Sequence, residues 1–327
     1  MRRIIIGIHG LSNKPPEGLL KMWWKNAIRE GLRAIGHPRI FFRFELVYWA
    51  NFFYPASLNP KETDKKNELY MEDPYSPAKE VRKGEARHIR EKVLNYVDKQ
   101  LNRLFLNDDM TINFLSISDF IIHHFFSDLE NYYSKTCIDS DNQSKPAKEV
   151  IRNQMAKVLK KYRRRKILLI AHSMGTIISY DVLSHCVPKV KIDTFITIGS
   201  PLGIPIVISK IIHEQREFSG KNISTAKVPV NIKRNWYNFS DLRDKVAIYY
   251  SLSDKFEKNV NNIETIDKIV YNNFEDNPHK SYGYLRAPEV AEVIHEFLTH
   301  RKTRFSLWVS GKINRFFAKI IGVDYEP

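Results

Sequence analysis

A serine between an apolar run and an amphipathic run is the residue best suited to nucleophilic chemistry in this sequence. Ser173 follows the apolar run 166–171 and directly precedes Met174, where the amphipathic run begins. A free serine hydroxyl is barely ionised at neutral pH, but a sharp strand-to-helix turn exposes it and points a helix N-terminus at the reacting carbonyl. Such a turn needs small residues two positions away, and Ala171 and Gly175 are small. The pattern predicts a nucleophile at Ser173; the alternative is a buried or helix-capping serine.

The segments on both sides of Ser173 alternate between strand and helix patterns along most of the chain. Apolar, β-branched runs predict six sheet strands, at 4–8, 40–49, 166–171, 193–199, 231–239 and 266–273. Helical spacing and end signals predict helices at 15–35, 147–163, 174–185 and 287–300. Because this alternation is typical of parallel strands joined by crossover helices, the sequence predicts one α/β domain with a mainly parallel six-stranded sheet flanked by helices.

Residues 51–146 interrupt this alternation. The first part is polar and rich in proline, which predicts a loop. An apolar stripe at helical spacing then predicts a long amphipathic helix over 78–106, and residues 114–133 form an unusually apolar and aromatic helical segment. We interpret 51–146 as a helical cap inserted between two sheet strands, with ordinary crossover helices as the alternative.

Composition and charge exclude several classes of protein. The 327 residues are 43% hydrophobic and 27% charged, which is typical of a globular chain and not of a disordered or fibrous one. The sequence has no stretch of eighteen apolar residues without a charged residue, so we expect no spanning helix. The apolar run 4–8 is too short for a signal peptide, so we expect no Sec export. Two cysteines give no disulfide framework, which favours a reducing, cytoplasmic location.

Three short motifs together resemble the α/β-hydrolase superfamily, in particular its lipase-like and GPI inositol-deacylase-like serine hydrolases. They are the turn at 171–175, the pair His9-Gly10 after the first strand, and Gly199-Ser200-Pro201 after the strand that follows Ser173. The resemblance covers the sheet elements, but neither the insertion nor the C-terminal tail. It implies an α/β-hydrolase fold with a catalytic triad in the order Ser, Asp, His. Because the chain begins at the strand before His9, it also implies a reduced sheet without the family's first two antiparallel strands.

The resemblance also implies where an oxyanion hole lies. In this family the backbone N–H of the residue after the His-Gly pair points at the substrate oxygen. Here that residue is Leu11, and the second donor is the N–H of Met174. Gly10 and Gly175 are the loop and elbow glycines of this arrangement.

The general base must be a histidine, because the imidazole pKa lies near neutrality. His279 lies in a loop between the last predicted strand and the last predicted helix, which is where the resembled family has its base. His295 and His300 lie within that helix or at its end, where a ring is more often a surface group. His9 and His172 belong to the motifs above, and we expect their rings to orient loops.

Two aspartates compete to be the acid that orients this histidine. Asp244 is followed by Lys245 and Val246, and lipase-like members often have a valine two or three residues after the acid. Asp241 is nearer the end of the predicted strand, where it could be the acid or could cap the turn. We favour Asp244 and keep Asp241 as the alternate.

The sequence contains no motif for a metal or a nucleotide. It has no His-Glu-x-x-His, no cysteine pair at ligand spacing, no Asp-rich calcium loop and no glycine-rich phosphate loop. It also lacks a recognisable nucleic-acid-binding module, so nucleic acid is not an expected partner. We expect no cofactor and no metal.

Residues 301–327 form a basic C-terminal segment. Several apolar side chains between 305 and 321 share one face of a predicted amphipathic helix, with lysine and arginine elsewhere. Such a helix can lie in an anionic membrane interface, and docking on the domain or on a second subunit is the alternative. The formal net charge of +15 fits an anionic partner, and it fits solubility alone equally well.

Together these observations predict a serine esterase of the lipase type that cleaves a carboxylic ester through an acyl-enzyme. The substrate is a small-molecule or lipid ester, and we favour a lipid because the apolar residues of 114–126 could line an acyl pocket. A thioesterase, an amidase or an acyltransferase would use the same triad. The alternative from another class is a non-catalytic protein that binds a membrane or nucleic acid through its basic surface. The oligomeric state is left open.

Overall fold

A computed structural model describes residues 2–83, 129–138, 142–247 and 249–300. The strands in these ranges are β1 (Arg3–Ile8), β2 (Phe44–Val47), β3 (Thr136–Ile138), β4 (Ser144–Pro146), β5 (Lys166–His172), β6 (Ile192–Ile198), β7 (Ala226–Lys227), β8 (Ile232–Ser240), β9 (Phe256–Glu257) and β10 (Thr265–Ile269). The helices are α1 (Glu17–Ala34), α2 (Ala147–Lys161), α3 (Met174–Asp181), α4 (Pro205–Ser219), α5 (Ser281–Arg286) and α6 (Pro288–Thr299).

The central sheet of the described chain has six strands in the order β10–β8–β6–β5–β1–β2. Every neighbouring pair is parallel, and β1 and β5 pair over six residues, from Arg3 with Lys166 to Ile8 with Ala171. The predicted six-stranded parallel sheet is therefore confirmed, and the arrangement is an α/β-hydrolase fold.

Helices cover both faces of the sheet, which explains why the central strands are apolar without alternation. In β1, Ile4 and Ile6 point into the core formed with α2, α3 and α4, whereas Ile5 points into the core formed with α1, α5 and α6. Leu169 and Leu168 in β5 divide in the same way. All five side chains are buried. The sheet is thus a rigid layer between two apolar cores.

The carboxyl ends of the parallel strands meet at one edge of the sheet, which is where loops of this fold class gather functional groups. His9 follows β1, Ser173 follows β5, Gly199 follows β6 and Asp241 follows β8. The loop between β10 and α5 carries His279 to the same edge. Strand order therefore brings together segments that are far apart in the sequence.

Several element ends differ from the sequence prediction. The second strand is only Phe44–Val47 because the chain turns into a short 3₁₀ helix at Ala50–Phe52. The strand predicted to end at 273 ends at Ile269, because the next residues leave the sheet to form the loop that holds His279. The helix predicted over 174–185 is α-helical only as far as Asp181, the end of α3, and then continues as one π-helical turn, Val182–Cys186.

The predicted insertion at 51–146 lies only partly within the described residues. Its first part, 53–83, is loop as the prolines predict, and residues 129–134 are helical. The antiparallel pair of β3 and β4, at the end of the insertion, was not expected. Residues 84–128 and 301–327 lie outside the described residues, so the long cap helices and the C-terminal helix stay predictions. Among the helices described, none has the length and apolar character that crossing a bilayer requires.

Candidate active site

Ser173 lies on a strained turn between β5 and α3. Its backbone has φ 52° and ψ −130°, a combination that costs on the order of 1–3 kcal/mol for a residue with a side chain. The surrounding bonds hold it there: its N–H donates to the carbonyl of Ile198 at 3.2 Å, and its own carbonyl accepts from the N–H and hydroxyl of Thr176 at 2.8 and 2.7 Å. The predicted elbow is therefore present, with the side chain buried.

The small residues around this turn are required by the end of β1. A Cβ at Gly175 would lie 2.6 Å from the carbonyl oxygen of His9, and a Cβ at Gly10 would lie 2.6 Å from the Cβ of Ser173. Both distances are shorter than real side-chain contacts. The sequence pattern predicts that Gly175 avoids a collision across the turn itself. In the structure, glycine is needed at this position because the loop after β1 approaches it closely.

The structure brings Ser173, His279 and Asp244 into one chain of hydrogen-bond distances. His279 Nε2 lies 2.9 Å from Ser173 Oγ, and His279 Nδ1 lies 2.9 Å from each carboxylate oxygen of Asp244. The Asp244 carboxylate is completely buried, and the His279 side chain is 15% exposed. A hydroxyl, an imidazole and a carboxylate in this order can pass a proton from the hydroxyl to the imidazole while the carboxylate stabilises the cation.

The buried Asp244 carboxylate accepts hydrogen bonds from three further donors. Oδ1 accepts from the N–H groups of Val246 and Ala247 at 2.9 and 3.3 Å, and Oδ2 accepts from the hydroxyl of Tyr284 at 2.7 Å. A buried anion costs several kcal/mol unless such donors surround it. The valine after Asp244, which the sequence analysis used as a motif, thus supplies a backbone donor.

Gly199 makes room for this pair. Its φ is +54°, and a Cβ there would lie 2.9 Å from Asp244 Oδ2, 3.1 Å from Tyr284 Cε2 and 3.3 Å from His279 Nδ1. A side chain at this position would meet an unfavourable backbone conformation and would push on both members of the carboxylate–imidazole pair. The glycine of the Gly-Ser-Pro motif is therefore part of the site's geometry.

Asp241, the alternate acid, lies in a different set of contacts. Its carboxylate pairs with the guanidinium of Arg243 at 2.7 Å and accepts from the N–H of Asn272 at 2.5 Å. Its own N–H donates to the hydroxyl oxygen of Tyr284 at 2.9 Å. The structure brings Asp244 to His279 and leaves Asp241 anchoring the loop that follows β10.

His9 orients the loop after β1. Its Nδ1 lies 2.8 Å from the Gly10 carbonyl oxygen, and its Nε2 accepts from the N–H of Trp49 at 3.0 Å. Burial, with a smaller effect of the Lys14 ammonium, lowers the pKa of His9 to about 3, so the ring is neutral and Nδ1 carries the proton. Because C=O and N–H point in opposite directions across a trans peptide, the bond to the Gly10 carbonyl also fixes the direction of the Leu11 N–H.

Lys14 holds the rest of this loop. Its ammonium group donates to the carbonyl oxygens of Leu11, Ser12 and Asn13. Ser12 has φ 65°, a left-handed conformation that a non-glycine residue adopts only when its surroundings hold it. Because three carbonyl groups of this loop point at the Lys14 ammonium group, the N–H groups of the same loop point away from it.

His172 supports the base. Its Nε2 lies 2.7 Å from the carbonyl oxygen of His279, and the two rings lie 4.8 Å apart. Burial, and then the neighbouring His279, lower the pKa of His172 well below its ordinary value, so it stays a neutral donor. Both motif histidines therefore orient loops, as the sequence analysis expected.

A cavity of about 950 Å³ opens beside His279 and Asp244. Charged side chains of both signs lie on its wall: Lys14, Arg243, Lys245 and Lys280 with Glu68, Glu72, Asp73 and Asp276. Leu11, Leu58 and Met71 supply apolar surface. Leu20, Trp24 and Tyr282 also line the cavity, so its described wall has mixed character and suits a molecule with both polar and apolar parts.

Sequence reasoning missed four residues that hold this site in shape. Lys14, Trp49 and Tyr284 act through hydrogen bonds to the loops, and Arg243 neutralises Asp241. Nothing in their spacing distinguishes them from ordinary surface or core residues. Trp49 and Tyr284 act across 40 positions of the chain, whereas Lys14 bonds within three positions and Arg243 pairs with an aspartate two positions away.

A second polar cluster lies where the end of α3 and the π-helical turn after it meet α4. The ligand atoms of Asp181, His185 and Glu214 lie within 4.8 Å of one another. Lys148 Nζ lies 2.6 Å from the Glu214 carboxylate, and the Arg152 guanidinium lies 3.1 Å from the Asp181 carboxylate. These cations already neutralise the carboxylates, so the cluster is an ion-pair network and does not fit a metal ion.

Comparison with known proteins supports part of the resemblance stated above. Residues 149–233 match the family model described as lecithin:cholesterol acyltransferase. The matched segment contains Ser173 but neither Asp244 nor His279. A comparison with curated protein sequences gave no match. Over this central part the chain is similar to a lipase-like acyltransferase and esterase family of the α/β-hydrolase class, and nothing specific supports the GPI inositol-deacylase-like part of the resemblance.

The buried, neutral His9 makes stability depend on pH. Its pKa is about 3 in the folded chain and 6.5 ordinarily, so between these values only the unfolded state binds the extra proton. The free energy of unfolding should therefore fall as the pH drops below 6.5, by about 1.4 kcal/mol per pH unit for each such histidine. Urea unfolding at neutral and mildly acidic pH should show a smaller loss for His9→Gln than for the wild type. An equal loss in both proteins would contradict a neutral His9.

Proposed function

We propose that this protein is a serine hydrolase that cleaves carboxylic esters through an acyl-enzyme. The observation that carries the proposal is the chain of 2.9 Å contacts from Ser173 Oγ through His279 to Asp244. Ser173 Oγ attacks the ester carbonyl carbon while His279 Nε2 takes its proton. The tetrahedral intermediate then collapses, and the alcohol leaves with that proton. Water attacks the acyl-enzyme by the same route in reverse, releasing the acid and restoring Ser173.

The N–H groups of Leu11 and Met174 are the proposed donors to the developing oxyanion. Met174 is the first residue of α3, so its N–H has no acceptor within the helix and lies at the positive end of the helix dipole. The Leu11 N–H belongs to the peptide that His9 holds through the Gly10 carbonyl. Preorganised donors of this kind are worth about 2.7–4 kcal/mol each in acyl transfer.

A lipid-derived ester is the proposed substrate. Support comes from the match of residues 149–233 to a family named for acyl transfer from a lipid, and from the apolar sequence of 114–126. The mixed wall of the cavity suits such a molecule, because its charged side chains can accommodate a headgroup and its apolar side chains can contact hydrocarbon.

The second candidate function is acyl transfer, which the family match favours. The acyl-enzyme is the same, but an alcohol bound in the cavity, instead of water, attacks the ester carbonyl with His279 as the base. Ser173 is buried, so access of water to the acyl-enzyme decides between the two outcomes.

Ser173→Ala should abolish ester hydrolysis and labelling by a fluorophosphonate probe. Loss of the nucleophile removes the whole triad's contribution, which is several orders of magnitude in turnover. Ser179→Ala is the matched control, because Ser179 is a buried serine of the adjoining helix α3 whose hydroxyl lies 3.8 Å from the Met155 sulfur. Labelling of Ser173→Ala, or its loss in Ser179→Ala, would reject Ser173 as the nucleophile.

Asp244→Asn should lower kcat by about 10³–10⁴-fold, and Asp241→Asn should lower it far less. Only Asp244 contacts the imidazole, whereas Asp241 pairs with Arg243 and contributes to stability. Steady-state kinetics on one soluble ester, with thermal unfolding of both variants, separates the two effects. If Asp241→Asn lost activity and Asp244→Asn kept it, Asp241 would be the acid that orients His279.

Medium-chain p-nitrophenyl esters should have higher kcat/KM than the acetyl ester, by about tenfold or more for several added methylenes. The same assay with a long-chain alcohol distinguishes the two candidate functions, because a transferase forms the new ester and a hydrolase forms only the free acid. A preference for acetyl esters, with no transfer product, would leave a soluble small-ester hydrolase.

A further inference from the structure

The amino ends of the sheet strands carry a band of positive charge, which we call the basic edge. Five of the six strands in the central sheet have basic residues just before them or among their first three residues: Arg2 and Arg3 at β1, Arg43 at β2, Arg163, Arg164, Arg165 and Lys166 at β5, Lys189 and Lys191 at β6, and Lys233 and Arg234 at β8. Because the strands are parallel and adjacent, these residues lie along one side of the molecule. The C-terminal turn of α2 adds Lys160 and Lys161 beside them.

Most of this charge is exposed and not neutralised. Arg2, Arg43, Arg164, Lys189 and Lys191 are exposed, and within the described ranges no carboxylate lies within ion-pair distance of them. The acids at this edge are few and engaged with its other cations. Asp193 pairs with Lys166 at 3.3 Å and with Arg234 at 3.9 Å, and Glu296 pairs with Arg234. The sixth strand, β10, follows Glu264, which pairs with Lys258 at 2.8 Å.

The basic edge is at the opposite end of the sheet from the candidate active site. Arg164 precedes β5 and Ser173 follows it, and the seven residues of that strand span about 20 Å. This distance is about twice the screening length of roughly 8–10 Å at moderate salt. The side chains of the edge therefore cannot contact a substrate at Ser173, and a ligand bound at the edge is separate from the reacting ester.

The chain that continues from the basic edge indicates which polyanion fits. Helix α6 ends at this edge, where the Arg3 guanidinium donates to the carbonyl of His300. Residues 301–321 then add six basic residues, no acidic one, and apolar residues that include Phe305, Trp308 and Phe316. A nucleic acid would need the charge but not the apolar residues, whereas an interface of anionic lipid headgroups uses both.

We propose that the basic edge is a docking surface for anionic lipid headgroups. It holds the enzyme on a membrane with the carboxyl ends of the strands, and hence the cavity, directed away from that membrane. Substrate would then reach the cavity from the aqueous side, not by direct extraction from the bilayer under the enzyme. The proposal concerns binding alone and does not rest on the proposed ester hydrolysis.

The test is vesicle sedimentation of the full-length chain with and without charge reversal. The vesicles are phosphatidylcholine alone or phosphatidylcholine with about one third phosphatidylserine, at about 0.05 and 0.5 M salt. The wild type should bind only the anionic vesicles, and only at low salt. Because each basic residue contributes on the order of fivefold in affinity, Arg164→Glu/Lys189→Glu/Lys191→Glu should weaken binding by about 100-fold or more.

The matched control reverses the same number of charges at the other end of the molecule. Lys61, Lys65 and Lys66 are exposed in the loop that contains Tyr70, a residue of the cavity wall. Lys61→Glu/Lys65→Glu/Lys66→Glu should keep most of the vesicle binding. Both triple variants should fold, and the edge variant should keep the wild-type kcat/KM on a soluble p-nitrophenyl ester.

Each other outcome overturns the proposal. Vesicle binding that survives the edge variant would move the contact to 301–327 or elsewhere, and equal losses in both variants would mean only a response to net charge. Binding to duplex DNA or RNA without binding to anionic vesicles would assign the edge to nucleic acid. If neither the wild type nor either variant hydrolyses any ester, the proposed function fails, but the vesicle-binding result still tests the docking surface.

Discussion

The close approach of the loop after β1 to the turn after β5 is the constraint on which the rest of the site depends. Two backbones meet where Gly175 faces the carbonyl of His9 and where Gly10 faces the Cβ of Ser173. Neither contact leaves space for a methyl group. This contact brings the strained serine and the Leu11 N–H to the same point. The parallel pairing of β1 with β5 over six residues sets its position, so the sheet core and the site share one geometric origin.

The second requirement is a buried carboxylate, surrounded by hydrogen-bond donors, beside an imidazole. The protein meets it with donors from two elements, the backbone after Asp244 and the hydroxyl of Tyr284. Tyr284 also accepts the N–H of Asp241, so one phenol links the two aspartates that the sequence could not distinguish. Burial, followed by the charge of Asp244, raises the pKa of Tyr284 well above its ordinary value, and the phenol therefore remains a donor.

The sequence predicted those parts of the molecule whose determinants are local. The apolar run before Ser173 and the helix after it define the elbow, and the alternation of elements defines the parallel sheet. The choice between Asp241 and Asp244 could not be made from local signals, because both are aspartates after the same strand. It depends on how the loop after β8 folds back towards His279, a tertiary property. The bond from the Trp49 N–H to the His9 ring likewise depends on a contact across 40 positions that no motif encodes. The ends of β2 and β10 were misjudged because apolar residues beyond them pack in loops.

The strand order also has a consequence for synthesis of the chain on the ribosome. β1 is made first, but its partner β5 begins at Lys166, more than 150 residues later. At about 5–20 residues per second, the apolar strand 4–8 waits on the order of ten seconds or more before this edge can pair. A β-branched, uncharged segment with an open edge is prone to intermolecular pairing during such a delay. Early packing of α1 against Ile5 would cover one face of this segment, and the folding yield should respond to translation rate more strongly than the final stability does.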